Sequence, residues 1–92
     1  MPRTVLEALM FGKIVIASNT DGIKDIIIHG FNGFMYDIND NNGFRRVLID
    51  VTNGNYDLKE ISYNAMSFYK DNYIFEKYAE TWKKSVSTLL EY

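Results

Sequence analysis

The sequence predicts an α/β fold in which short parallel strands are flanked by helices and followed by a helical C-terminal tail. Two observations carry that expectation. The hydrophobic period changes along the chain, from helical spacing to continuous apolar runs and back. The two strand candidates, Ile14-Val15-Ile16-Ala17 and Phe34-Met35-Tyr36, are also separated by a segment with helical spacing. Such a crossover implies a parallel pair joined with right-handed chirality.

Residues 2–11 open the chain with Val5, Leu6, Leu9 and Met10, two pairs at i,i+4 on a helix-forming background. Pro2 suits a first helical turn, and Gly12 is placed to end the helix. The run Ile14-Val15-Ile16-Ala17 is continuous rather than alternating, which fits a strand covered on both faces. Ser18-Asn19-Thr20-Asp21-Gly22 reads as a polar loop, Ile23 to Ile28 as a short helix, and His29 as a cation near the end of that helix. Gly30 and Gly33 are expected to supply unusual backbone angles around the Asn32-Gly33 turn.

After a second polar loop, Phe44, Val47, Leu48 and Val51 mark one apolar face. Asn53-Gly54-Asn55 breaks that helix, and Leu58, Ile61, Ala65, Phe68 and Tyr69 repeat the spacing in the next. Asp71-Asn72 is expected to separate it from a last helix striped by Phe75, Tyr78, Ala79, Trp82, Val86, Leu89 and Leu90. Two strands make a poor sheet alone, and the opening helix has no strand ahead of it. The order therefore reads as a fragment, the second half of a doubly wound domain. Residues 1–54 form the partial Rossmann-like part and residues 55–92 the C-terminal helices.

Composition excludes several functions. The 92 residues carry a formal charge of −2, against the cationic surplus that general nucleic-acid binding needs. With no cysteine and one histidine, thiolate chemistry and multi-histidine or cysteine-based metal sites are ruled out. Asp37, Asn39 and Asn41 mimic the start of a calcium loop, but Asn42 replaces the turn glycine and Leu48 the closing carboxylate. Nothing in these residues reads as a signal peptide or a membrane-spanning run, so the expected location is the cytoplasm.

The opening turn is the candidate site. A helix beginning between Pro2 and Thr4 offers unpaired backbone N–H groups to an anion, with Arg3 as an adjacent cation. Glu7, one turn further in, is suited to accept hydrogen bonds from ribose hydroxyls. The spacing equally allows Glu7 to be only a favourable acidic residue early in a helix.

Thr4-Val5-Leu6-Glu7-Ala8-Leu9-Met10-Phe11-Gly12-Lys13-Ile14-Val15-Ile16-Ala17-Ser18 resembles the sugar-nucleotide-binding segment of retaining glycosyltransferases with the GT-B fold, group 1 type. Asp21-Gly22-Ile23-Lys24-Asp25, Gly30-Phe31-Asn32-Gly33-Phe34 and the aromatic stretch from Tyr73 to Trp82 continue the likeness over nearly the whole chain. The resemblance implies transfer of a hexosyl group from a nucleotide diphosphate sugar to an acceptor hydroxyl, with retention and no protein-bound metal. It assigns Glu7 to the donor ribose and Arg3, Thr4 and Val5 to the donor diphosphate.

A partner glutamate contacting the transferred sugar would fall ahead of Met1. So would the N-terminal acceptor domain, and the chain alone is expected to be inactive. Pro2 stands where many relatives have glycine and cannot donate a backbone N–H. Asp21 also departs from the pattern; on a loop at a strand's carboxyl end it would either repel a diphosphate or face solvent. The resemblance points to surface-glycan biosynthesis at the inner face of the membrane, and to self-association through the stripe around Trp82. The competing reading is a non-catalytic α/β interaction module or gene remnant.

Overall fold

The computed structural model describes residues 3–73. Helix α1 spans Arg3–Met10, strand β1 Ile16–Ser18, strand β2 Phe34–Tyr36 and helix α2 Gly43–Thr52. A third helix, α3, covers residues 58–73. The strands pair in parallel, with Ile16 opposite Phe34 and Ser18 opposite Tyr36. The expected fold class is therefore present, with β1 beginning two residues later than the apolar run.

Alternation along the strands divides the apolar residues between two clusters, as a pleated strand requires. Val15, Ala17 and Met35 face the cluster of Leu9, Ile23, Ile26, Ile27, Ala65 and Tyr69. Ile14 and Ile16 face the opposite cluster of Phe34, Val51 and Ile61. Helices thus cover both faces of the pair, which explains why the run at Ile14 is continuous. Helix α3 contributes to both clusters and joins the two layers.

Gly12 ends α1 with φ +69°. Its N–H donates to the Leu9 carbonyl at 3.0 Å, and that of Lys13 to the Ala8 carbonyl at 2.9 Å. These two bonds make a complete Schellman motif. At the start of α3, Asp57 Oδ1 accepts the N–H groups of Lys59 and Glu60 at 3.1 and 3.2 Å, an N-cap.

Four local expectations are corrected. Ile23 to Ile28 is not a helix but a succession of turns, held by bonds such as Ile27 N–H to the Ile23 carbonyl at 2.9 Å. The three buried isoleucines there are β-branched and the segment is too short to repay helix nucleation. His29 accordingly caps no helix: its Nδ1 accepts the Met35 N–H at 3.0 Å. Gly33 keeps an ordinary φ and is required for space instead, since a Cβ there would lie 3.1 Å from Ile27 Cδ1 and 3.3 Å from the Val15 carbonyl.

The fourth correction is at Asp71-Asn72, where α3 continues without a break. Asn72 Nδ2 donates to the Phe68 carbonyl one turn back at 2.8 Å, so its side chain follows the helix rather than ending it. The stripe from Phe75 to Leu90, with Trp82, lies outside the described residues, as does Pro2. On α2, Val51 is buried and Val47 half-buried, while Phe44 and Leu48 are exposed.

Candidate functional site

The candidate site lies on α1, whose C-terminal end is fixed by a defined turn. The Schellman motif at Gly12 closes α1 ahead of the apolar run that leads into β1. Val5, Leu6, Leu9 and Met10 anchor α1 through the first apolar cluster.

Helical geometry then decides which predicted residues share a face. Arg3 and Glu7 are one turn apart and, with Thr4, lie on the exposed side of α1. Val5 turns its side chain toward the core, so its backbone N–H is what it offers an anion. The structure therefore brings Arg3, Thr4 and Glu7 together and separates the Val5 side chain from them. Among the described residues, Glu7 makes no ion pair and no side-chain hydrogen bond. It falls in the second turn, since the first holds no acidic residue. Dipole stabilisation fades beyond the first turn, which weakens the view of Glu7 as only an early-helix acid.

The carboxyl-edge loops are ordered from within. Asn19 N–H donates to the Tyr36 carbonyl at 2.9 Å, and Asn19 Oδ1 accepts the Ile38 N–H at 3.2 Å, clasping the ends of β1 and β2. Ser18 Oγ and Thr20 Oγ1 stand 3.4 Å apart. Asp21 is exposed, which suits the solvent-facing alternative. In the following loop, Asp37 and Asp40 direct carboxylate oxygens onto the N–H groups of Asn39 and Asn42, and Asp40 also pairs with Arg46. These carboxylates serve the loop itself, and the described residues include no acidic or histidine cluster suited to a metal.

Two structural residues escaped the sequence reading. Asn32 is fully buried: its Nδ2 donates to the Ile26 carbonyl at 2.9 Å and its Oδ1 accepts the Ile28 N–H at 2.7 Å. Asp57 was findable, because Asp57-Leu58-Lys59-Glu60 has the spacing of a capping box ahead of an apolar stripe.

Residues 1–68 match the family described as glycosyl transferases group 1. The chain belongs to that family. An uncharacterized glycosyltransferase from Methanocaldococcus jannaschii is 29% identical over 90 residues, covering 98% of this chain and 23% of the relative. The crystal structure of HepE from Anabaena, a complex with UDP, superposes with a TM-score of 0.76 over 96% of this chain and 24% of that one, at 19% identity. That likeness shows a shared fold. The chain spans about a quarter of the length of both relatives. Among the described residues, no helix of this glycosyl transferase chain is long and apolar enough to cross a membrane.

Proposed function

We propose that this chain supplies the donor-binding part of a glycosyltransferase with the GT-B fold. In this reading the enzyme moves a hexosyl group from a nucleotide diphosphate sugar to an acceptor hydroxyl with retention of configuration, serving surface-glycan assembly at the cytoplasmic face of the membrane. The observation that carries the reading is the open first turn of α1, with Arg3, Thr4 and Glu7 exposed on one face in a chain of this family. That a structural neighbour was solved with UDP supports the choice of a nucleoside diphosphate as ligand.

The chemistry follows from where charge develops. As the glycosidic bond breaks, negative charge gathers on the departing diphosphate. Oriented N–H groups of Arg3, Thr4 and Val5, at the positive end of the helix, stabilise that charge without reorganisation. The Arg3 guanidinium adds a mobile cation that fits phosphate oxygens bidentately. With positive charge supplied this way, the reaction needs no protein-bound metal. Glu7 accepts hydrogen bonds from the ribose hydroxyls and fixes the nucleotide along the helix.

Because the chain spans about a quarter of the length of its relatives, the 92 residues alone are expected to bind donor weakly and transfer nothing. A titration of the chain with UDP, followed by amide NMR, tests the site. Perturbations centred on Arg3, Thr4 and Glu7, and weakened in Glu7→Ala, are expected. Undisturbed signals in α1 at millimolar UDP would exclude it.

A further inference from the structure

The chain contains three Asn-Gly pairs, Asn32-Gly33, Asn42-Gly43 and Asn53-Gly54. All three have the same intrinsic chemistry. The glycine nitrogen attacks the side-chain carbonyl carbon of the preceding asparagine, the bond to the amide nitrogen breaks, and ammonia departs with the proton from the glycine nitrogen. Water then opens the cyclic imide at either carbonyl, leaving aspartate or isoaspartate. Glycine favours the attack because no Cβ shields its nitrogen, so the fold decides which pair reacts.

Asn32-Gly33 is locked. The Asn32 side chain is buried with its Nδ2 and Oδ1 both bonded to backbone, and Gly33 is buried beneath Ile27. Asn42-Gly43 is half-locked. The Asn42 side chain makes no cap hydrogen bond, but Gly43 is buried and its N–H donates to the Asp40 carbonyl at 3.0 Å. Attack there requires the first turn of α2 to open.

Asn53-Gly54 has neither restraint. Both residues are exposed at the end of α2, and Gly54 stands at φ +78° with nothing within 4 Å of where a Cβ would be. Among the described residues, the hydrogen bond holding the pair is that from Asn53 N–H to the Ile49 carbonyl, at 2.9 Å. It leaves the Asn53 side chain and the Gly54 nitrogen free to meet.

We propose that Asn53 is the site at which the folded chain deamidates spontaneously, the only other reactant being water. The product puts a carboxylate at the negative end of the α2 dipole, close to Asp50, whose carboxylate accepts from Asn55 Nδ2 at 3.1 Å. Isoaspartate also adds a methylene to the backbone and takes the Asn53 N–H out of line with Ile49. The modified chain therefore loses the last turn of α2.

The full chain is incubated in mildly alkaline buffer, with and without denaturing urea, then digested and read by tandem mass spectrometry. In the folded chain, conversion at Asn53 is expected to run several-fold faster than at Asn42, with Asn32 slowest; in urea the three rates converge. Asn42 or Asn32 reacting as fast as Asn53 in buffer would overturn the assignment. So would an unchanged ranking in urea, which would trace the preference to local sequence rather than to the fold. The helical signal lost during incubation should persist in Asn53→Gln, and an equal loss in that variant would refute the link to α2.

Discussion

The hydroxyl of Ser62 donates to the carbonyl of Gly12 at 2.7 Å, tying the second turn of the chain's third helix to the turn that ends its first. Fifty positions apart in sequence, the two residues join the element that carries the candidate diphosphate site to the element that bridges both apolar clusters. The contact is tight. A Cβ on Gly12 would lie 2.7 Å from Ser62 Oγ and 3.2 Å from the Met66 sulfur.

Ser62→Ala leaves that helix-end carbonyl without its partner and is expected to destabilise the chain by about 1 kcal/mol. Gly12→Ala adds a left-handed backbone penalty to the clash, for a loss of about 1–3 kcal/mol. Urea unfolding of both variants measures the difference. In the double variant the clash with the hydroxyl is gone, so the two losses should be less than additive.

Asn32 is a stronger test of internal hydrogen bonding. Replacing it with alanine removes two bonds and leaves the Ile28 N–H and the Ile26 carbonyl unpaired in a region with no exposure at Asn32 itself. The expected loss is about 2–4 kcal/mol. Hydrogen exchange should locate it, with faster exchange at Ile28 than at the amides of α1.

Asp57→Ala removes the N-cap of α3 and should lower stability by about 1 kcal/mol, with fraying confined to the first turn of that helix. Asp57→Ser restores a capping oxygen and is expected to recover most of the loss. Circular dichroism during urea unfolding distinguishes the two variants.

How much of this was legible depends on whether a residue's role is local. Gly12 after an amphipathic segment, and the β-branched run at Ile14, each state their structure within a few residues. So the first helix and the parallel pair could be read directly. The turns at Ile23–Ile27 show the limit of spacing: Ile23, Ile26 and Ile27 are buried at helical intervals, but burial at such intervals does not require a helix. The burial of Asn32 had no local signal, because Asn-Gly reads as an exposed turn unless the strands around it are known. The exposure of Phe44 and Leu48 depends on what packs outside α2, which no periodicity reports. At the candidate site, the shared face of Arg3, Thr4 and Glu7 was implicit in their spacing. The inward turn of Val5 was implicit in its i,i+4 pairing with Leu9, and it packs against the first apolar cluster.

Glu7 separates binding from stability. Its side chain is exposed and, among the described residues, unbonded, so Glu7→Ala should change unfolding stability by no more than about 0.5 kcal/mol. Its effect belongs to the ribose. If the carboxylate accepts from the sugar hydroxyls, removing either side of that contact forfeits the same interaction. UDP should then bind several-fold more weakly to Glu7→Ala than to the parent chain, and the dideoxyribose analogue of UDP should bind both equally. The cycle of two proteins and two ligands, measured by calorimetry or NMR titration, yields a coupling energy expected near 1–2 kcal/mol for hydrogen bonds to a charged acceptor. A coupling of zero, with UDP still bound, would move the ribose away from Glu7 while leaving the diphosphate at the helix start. Arg3→Ala provides the complementary test, because it should weaken both ligands alike and reduce the salt dependence of binding.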